Sequence, residues 1–310
     1  MPVGVVGGGP FGRALAVAAA RNGRSVLLWS RRAPAAPAPG IVVTDDASAL
    51  ERAELVLVAV PSPHIASIAA MLSRWLDGRH LLVHASRGLE GDGLRPLSHV
   101  FRERTAVRRV GVLAGPIVAA ALEAGAPLGG IVGTLFGEVE EAVRAAIGGP
   151  TLRLYATRDV VGVEVAAAMV GLLSLAAGFC RGIGVGPGSL AVLLSRGMAE
   201  ARRIGQALGA EARTFEGLAG HGDLLAAVAG DERPEVRLGR ALARGLPLAE
   251  AVREAGAHIE GVSIARRVQR FAARAGLEAP VSATIADVID GSLGPEGAIA
   301  RLMARPAGLE

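Results

Sequence analysis

The chain of 310 residues contains no lysine, so all 33 residues counted as lysine or arginine are arginines. An arginine guanidinium keeps its proton at any accessible pH, whereas a lysine amine can be tuned into a base or a nucleophile. The absence excludes Schiff-base chemistry, a lysine acid or base, and a P-loop lysine. Genome composition explains the arginines themselves, because alanine, glycine, valine and leucine are abundant as well.

Cysteine, aromatic residues and excess charge are also scarce. Cys180 is the one cysteine, which rules out an intramolecular disulfide and favours a reducing compartment. Aromatic residues make up 3% of the chain and the net charge is +4, so nucleic-acid binding is not expected. No signal peptide precedes the first apolar run, and the longest uncharged apolar run, 165–180, is shorter than the roughly 20 residues that span a bilayer. We predict a cytoplasmic protein without a membrane span, in which this run is a buried helix.

Short apolar runs alternate with helical stretches through the first half of the chain, which indicates βαβ units and a parallel sheet. The predicted strands are 3–6, 25–29, 41–43, 55–60, 80–84 and 110–113, with helices at 11–22 and 65–76 and a proline-rich loop at 33–40. After Tyr155 the pattern changes to long stretches of helical period, with no convincing strand. The helices predicted there are 162–182, 189–208, 248–255, 262–276 and 283–290. We therefore predict an α/β fold, with an N-terminal Rossmann-type doubly wound sheet in residues 1–157 and an all-helical C-terminal domain in residues 158–310.

A glycine-rich turn follows the first predicted strand directly. It reads Gly-Gly-Gly-Pro-Phe-Gly, which matches the dinucleotide-binding pattern G-x-G-x-x-G and opens a predicted helix. In this pattern Gly7 allows the tight turn, Gly9 lets a pyrophosphate approach the backbone, and Gly12 lets helix and strand pack closely. Pro10 and Phe11 complete the loop, whose bound phosphates would lie over free N–H groups at the helix N-terminus. An ordinary turn is the alternative, but the position between strand and helix favours a dinucleotide site.

The second predicted strand leads into Ser30, Arg31 and Arg32. An acidic residue at this point would bind the ribose 2′-hydroxyl of NAD, whereas arginines suit the 2′-phosphate of NADP. Ordinary surface arginines are the alternative. We predict that NADP or NAD is the cofactor, with NADP favoured, and that Arg31 and Arg32 bind it.

Nine short segments carry a resemblance that runs nearly from end to end. They are GGGPFGRALA at 7–16, VAVPS at 58–62, ASRGLE at 85–90, LAGP at 113–116, DVVGVE at 159–164, RGMAE at 196–200, TFEGLAGHGDL at 214–224, IEG at 259–261 and EAPV at 278–281. In this order they resemble the NAD(P)-dependent glycerol-3-phosphate dehydrogenases of bacteria. The resemblance implies a substrate cleft between a Rossmann-type and a helical domain, and an oxidoreductase that exchanges hydride between NAD(P)H and dihydroxyacetone phosphate.

The resemblance breaks at the family's lysines. The family places an acid–base lysine on the first long helix of the second domain, within Leu-Lys-Asn, where this chain reads Met169-Val170-Gly171. The lysine of the family's Lys-Gly-(Ile/Leu)-Glu segment is Arg87, which keeps the charge but not the shape. A further lysine position, in Gly-Asp-Asn-x-Lys, is Leu190. Genome bias exchanges lysine for arginine but not for valine or leucine, so the sequence indicates a lost or replaced reaction.

The other substrate positions implied by the resemblance are mixed. Gly115 is kept, although the hydroxyls and the carboxylate that follow it in the family are lost. The family's Ser-Arg-Asn segment, which binds the substrate phosphate, aligns with Arg233-Pro234-Glu235. A shift of the alignment by one residue would place Arg233 at the phosphate. Asp223 matches a residue that handles substrate in the family. Its structural alternative is to cap the following helix.

Two more residues are candidates for the site. His221 stands where the family has an apolar residue, and it can titrate near neutrality, so it and Asp223 are the candidate acid–base residues. An ordinary loop histidine is the alternative. Glu260, in Ile-Glu-Gly, matches a family residue near the nicotinamide ribose, with a solvated glutamate at a helix start as the alternative. Arg87 matches a position near cofactor or substrate. No metal site is predicted.

Three functions stay open on these residues. The first is an active dehydrogenase of the family that uses other groups in place of lysine. The second is a dinucleotide-binding homologue without catalysis, a sensor or an assembly partner, and the third is a dehydrogenase for a less anionic substrate. Each needs a dinucleotide or a small-molecule substrate as its ligand. A homodimer is kept open as the assembly.

Overall fold

The sheet is built around a fully buried strand, β1 (Val3–Val6). Val3 and Val5 pack into one cluster of apolar side chains and Val6 into another, as the alternation of a strand requires. Burial on both faces is typical of parallel sheets covered by helices. The computed structural model describes residues 1–31, 38–230, 233–256 and 258–304, so Arg32 and residues 33–37 of the predicted loop lie outside the described residues.

Eight strands form one sheet in the order β3-β2-β1-β4-β5-β6-β7-β8. After β1 they are β2 (Val26–Trp29), β3 (Ile41–Thr44), β4 (Leu55–Val58), β5 (Leu81–His84), β6 (Arg109–Ala114), β7 (Leu128–Thr134) and β8 (Leu152–Thr157). The helices between them are α1 (Pro10–Arg21), α2 (Ile65–Leu72), α3 (Leu97–Arg104), α4 (Ala119–Ala124) and α5 (Gly137–Ile147), with 3₁₀ turns at Ala47–Arg52 and Ser62–His64. All neighbours are parallel except β6 and β7. The architecture confirms the predicted α/β fold with a doubly wound sheet.

The last two strands, β7 and β8, were not predicted. Three of the seven residues of β7 are glycines, which weaken a strand, and at Gly130 and Gly133 the neighbours leave no room for a side chain. A Cβ on Gly130 would lie 2.5 Å from Cδ1 of Ile117, and one on Gly133 would lie 2.9 Å from Cγ1 of Val112. Because β7 runs against β6, the C-terminal ends of β7 and β8 lie at the edge of the sheet where β1 to β6 begin.

The second half of the described chain is helical, as predicted. It contains α6 (Val160–Gly182), α7 (Pro187–Ala207), α8 (Ala212–Glu216), a π-helical turn (Leu218–Gly222), α9 (Asp223–Ala229), α10 (Pro234–Ala243), α11 (Leu248–Ala255), α12 (Glu260–Ala275), α13 (Pro280–Ile289) and α14 (Pro295–Met303). Helix α6 is the centre of the largest apolar cluster, and α7, α10 and α12 pack around it. Among the described residues it is the one helix that is long and apolar enough to cross a membrane, yet 89% of its most apolar window is buried inside the protein. This confirms the predicted buried helix.

Helices α6 and α10 touch backbone to backbone. A Cβ on Gly178 of α6 would lie 2.1 Å from the carbonyl oxygen of Val236, and one on Gly239 of α10 would lie 2.0 Å from that of Leu175. Both distances are far below contact, so no side chain fits at either glycine. This crossing fixes the first half of α10 beside the C-terminal third of α6.

Candidate active site

The predicted glycine fingerprint connects β1 to α1, and each of its glycines has a different steric reason. Gly7 has a φ of +118°, and a Cβ there would lie 2.3 Å from the carbonyl oxygen of Ala59. A Cβ on Gly12 would lie 1.9 Å from the carbonyl oxygen of Gly7, so this glycine permits the close approach of helix and strand. A Cβ on Gly9 would meet no atom of the described residues within 4 Å.

Open space above Gly9 is what a dinucleotide pyrophosphate needs. Gly9 caps α1 without a side-chain hydrogen bond, and Pro10 follows as the first helical residue. The first N–H groups of a helix have no intrahelical partner, and together with the helix dipole they favour a phosphate. Phe11 is half-buried beside them. The loop therefore fits the phosphates of NAD or NADP.

The end of β2 carries one described candidate for the adenosine side of the cofactor. Arg31 is exposed two residues after Trp29 closes the strand, whereas Arg32 lies outside the described residues. Since β2 is the neighbour of β1, Arg31 follows the strand next to the fingerprint loop. This position suits a 2′-phosphate but does not select NADP over NAD.

Glu260, the first residue of α12, reaches across to the end of β4. Its Oε1 accepts a hydrogen bond from the backbone N–H of Ser62 at 2.5 Å, and its Oε2 accepts one from the hydroxyl of Ser62. Gly88 makes room for the pair, because a Cβ there would lie 2.9 Å from Oε2 of Glu260. Glu260 is thus a buried contact between the helical region and the sheet, and the alternative of a solvated glutamate is wrong.

His258 gives Glu260 a second partner, with Nε2 3.6 Å from Oε2. Burial opposes ionisation of Glu260, but the nearby imidazole of His258 and the hydrogen bonds from Ser62 outweigh it and lower the pKa of Glu260 below its usual 4.5. The neighbouring carboxylate of Glu260 in turn raises the pKa of His258 above 6.5. An anionic carboxylate therefore stands at the end of β4, next to the fingerprint loop.

Three candidates from distant parts of the chain form one cluster, which we call the Asp223 cluster: Arg87, Asp223 and Arg233. Asp223 is fully buried, with Oδ2 3.1 Å from Nη1 of Arg87, and its Oδ1 accepts a hydrogen bond from Nη2 of Arg233. Arg87 follows β5, and Arg233 is the residue that precedes α10. The second terminal nitrogen of Arg233 is buried and has no hydrogen-bond partner among the described residues. Asp223 is the first residue of α9, which makes it a clamp for two guanidinium groups.

No ionisable side chain occupies the helix position at which the resemblance places a lysine. Val170 is fully buried in α6. The next residue, Gly171, faces Glu235 near the start of α10, since a Cβ on Gly171 would lie 3.9 Å from Oε1 of Glu235. The carboxylate of Glu235 therefore lies within ordinary contact distance of Gly171, and Glu235 is close to Arg233 in sequence.

Two further predicted residues, Gly115 and His221, lie apart from the Asp223 cluster. Gly115 follows β6 with a φ of +102°, and a Cβ there would lie 3.6 Å from the carbonyl oxygen of Leu218 in the π-helical turn. His221 belongs to the same turn but is exposed, and no described hydrogen bond or ion pair joins it to the Asp223 cluster. Leu190 is half-buried near the start of α7.

Ser62, His258 and Glu235 were missing from the predicted site. Ser62 had one signal, because it follows a predicted strand next to the fingerprint, at the edge where ligands bind in such sheets. Among the described residues no group of three or more histidine, cysteine, aspartate or glutamate side chains is arranged to hold a metal ion.

Comparison with known proteins places these features in context. Residues 35–133 match the model of the NAD-dependent glycerol-3-phosphate dehydrogenase N-terminus, and residues 159–300 match that of the C-terminus. A protein of Paracidovorax citrulli (strain AAC00-1) named glycerol-3-phosphate dehydrogenase [NAD(P)+] is 36% identical over 343 aligned residues, covering 100% of this chain and 99% of the relative. A protein of the same name from Rhodospirillum rubrum is 35% identical, covering 99% and 93%.

Solved structures agree with the sequence comparison. The crystal structure of glycerol-3-phosphate dehydrogenase from Coxiella burnetii superposes with a TM-score of 0.92 at 26% identity, covering 98% of this chain and 99% of that one. The yeast enzyme superposes with a TM-score of 0.84 at 19% identity, covering 98% and 99%, and this likeness shows the fold alone.

Proposed function

Because the chain belongs to the NAD-dependent glycerol-3-phosphate dehydrogenase family, we propose that it binds NAD or NADP but reduces dihydroxyacetone phosphate slowly at best. The observation that carries the proposal is the buried Val170. It stands where the resemblance places the acid–base lysine, whereas Gly7, Gly9 and Gly12 support a dinucleotide site through the tight turn, the open space and the close helix packing of the fingerprint.

Reduction of a carbonyl needs two deliveries, a hydride to the carbon and a proton to the oxygen. A bound reduced nicotinamide supplies the hydride. The proton must come from the chain or from water, and Val170 has none to give. Arg87 and Arg233 hold their protons at any accessible pH. The carboxylate of Asp223, their shared partner, is occupied by two guanidinium groups.

A positioned proton donor contributes about 10²- to 10⁴-fold to rate. We therefore expect turnover of dihydroxyacetone phosphate to fall short of a lysine-bearing relative by about that factor. The two guanidinium groups would still stabilise negative charge on a substrate oxygen, so a residual rate is compatible with the site.

The deciding experiment is a calorimetric titration with NADPH and with NADH, followed by a turnover assay in the same solution. We expect cofactor binding together with turnover at least about a hundredfold below that of the Coxiella protein measured alongside. Turnover at the rate of that relative would contradict the loss of activity. Absence of binding at millimolar cofactor would contradict the dinucleotide site.

A dehydrogenase for a less anionic substrate is the second candidate, and Glu235 favours it. Arg87 and Arg233 share the carboxylate of Asp223, and Glu235 stands two residues after Arg233 at the start of α10. A phosphate dianion entering here would meet these two carboxylates as well as the two guanidinium groups. A hydroxyl or ammonium group would instead find an acceptor in Glu235.

Replacing Glu235 tests this second candidate through binding alone. We expect Glu235→Gln to raise the affinity for glycerol 3-phosphate about tenfold, because an unfavourable charge is removed. The matched control is Glu250→Gln, which removes an exposed carboxylate from the first turn of α11. Equal affinities in wild type and both variants would contradict a role for Glu235 in substrate choice.

Four parts of the proposal rest on the sequence. We propose NADP as the preferred cofactor because Arg31 follows β2, and the ratio of the two cofactor affinities tests this. We also propose a cytoplasmic location and two domains, residues 1–157 and 158–310, which limited proteolysis near Arg158 would separate. A homodimer is tested by light scattering.

A further inference from the structure

A cavity lies at the edge of the sheet opposite to the fingerprint loop. It has a volume of about 240 Å³ and is enclosed by α3, the start of β6 and the connections that follow β7, β8 and α7. We call it the lower cavity. None of the residues that line it belongs to the fingerprint or to the Asp223 cluster. Whatever binds there is independent of the proposed dinucleotide site.

The lower cavity is lined by two arginines without carboxylate partners. Arg102 on α3 and Arg158 after β8 make no ion pair with any carboxylate in the part of the chain that the structure describes. Their neighbour Arg95 shows the contrast, because it pairs with both Glu90 and Glu103. Both side chains are exposed at the border of the lower cavity, and an arginine offers five N–H donors to a ligand that binds there.

The two acidic residues of the lining have their own partners. The carboxylate of Asp159 accepts hydrogen bonds from the N–H of Gly162 at 2.8 Å, from the N–H of Glu211 at 2.9 Å and from the hydroxyl of Thr214 at 2.6 Å. The carboxylate of Glu211 accepts from Nε of Arg213 at 2.6 Å. The charges left without a described partner around the lower cavity are therefore the two guanidinium groups.

A buried hydroxyl adds a third donor. Ser98 is 3% exposed and lines the lower cavity, and its Oγ has no hydrogen-bond partner among the described residues. Buried hydroxyls are normally satisfied, so an orphaned one calls for a ligand or a water. His99, the next residue, is half-buried in the same lining and can donate from its ring. Residues with hydrogen-bond donors thus line this space from α3 and from the connection between β8 and α6.

We propose that the lower cavity binds an oxyanion of the phosphate class, either free phosphate or the phosphate of a monoester. A tetrahedral oxyanion accepts several hydrogen bonds at once, and the planar fork of a guanidinium matches two of its oxygens. Arg102 and Arg158 bind the oxygens that face solvent, and Ser98 donates to an oxygen turned inward. The volume is several times the about 30 Å³ that one water occupies in the liquid, so a hydrated phosphate fits.

Binding is measured at constant ionic strength, with chloride as the exchanged ion, by calorimetry with orthophosphate and with phenyl phosphate. The variants are Arg102→Gln, Arg158→Gln and the double variant. The matched control is Arg104→Gln, which removes an exposed arginine of the same helix that does not line the lower cavity. Arg233→Gln separates this site from the Asp223 cluster, whose arginines also attract anions.

The double variant should bind orthophosphate at least about tenfold more weakly, which corresponds to about 1.4 kcal/mol. Arg104→Gln and Arg233→Gln should keep at least one site of wild-type affinity. Binding of orthophosphate but not of phenyl phosphate identifies free phosphate as the ligand, and binding of both admits monoesters. Unchanged binding in the double variant, or no binding by wild type below about 10 mM, overturns the proposal.

Discussion

Replacement of Asp223 by asparagine separates the charge of the Asp223 cluster from its shape. The carboxylate is fully buried, the side chain of Arg233 is 12% exposed and that of Arg87 is 26% exposed. Removing one partner of a buried ion pair costs about 3–5 kcal/mol, because the other charge stays buried without compensation. Arg87 is open enough to turn towards water, so most of the loss comes from Arg233. We therefore expect a loss near the lower bound, about 3 kcal/mol.

Urea denaturation followed by circular dichroism measures the loss in the free energy of unfolding. Asp92→Asn is the control, because Asp92 pairs with Arg270 at 2.7 Å but both side chains are about half exposed, and such exposed pairs contribute little to stability. Added phosphate should restore part of the stability of Asp223→Asn by binding the freed guanidinium groups. Any gain from the lower cavity is common to all three proteins and cancels. The reasoning fails if Asp223→Asn is no less stable than Asp92→Asn.

Three more perturbations follow from the geometry. Gly9→Ala should leave the stability unchanged, since no atom in the described part of the chain lies near the new Cβ, but weaken NADPH binding at least about tenfold in calorimetry. His258 has a pKa raised by Glu260, so its contribution to stability is complete below pH 6.5 and is lost as the pH rises through the folded-state value. Urea midpoints against pH should show that decline in wild type and not in His258→Asn. Gly239→Ala should cost about 1–3 kcal/mol or more in urea denaturation, because its Cβ would lie 2.0 Å from the carbonyl oxygen of Leu175, and a loss below about 0.5 kcal/mol would contradict the tight crossing.

Local patterns predicted most of the sheet and its glycine loop. The strands β1 to β6 are short apolar runs bounded by turns, and a run of that kind carries its signal within a few residues. Strand β7 carries no such signal, because its Gly130 and Gly133 leave room for the side chains of Ile117 and Val112 on the neighbouring elements. A pattern within the strand cannot express a steric limit set from outside it.

In the candidate site, too, individual residues were predictable from the sequence, whereas the contacts between them were not. Each member of the Asp223 cluster was a candidate, but that they meet was not predictable, because Arg87 and Asp223 are far apart in the chain and share only a place in the fold. Ser62 and Glu260 are 198 residues apart in the chain, and a serine hydroxyl alone does not identify Ser62 as a site residue. The role of Glu235 depends on the absence of a side chain at Gly171 of another helix.

The crossing of α6 and α10 bears on how such a site can diverge. At Gly178 and Gly239 the two main chains meet with no side chain between them, so there is nothing there that a mutation can shorten to shift one helix against the other. Gly171 belongs to one of these helices, in which Val170 is fully buried, and Arg233 and Glu235 stand at the start of the other. A new ligand preference can therefore evolve only through exchange of side chains around the site, while α6 and α10 keep their relative position.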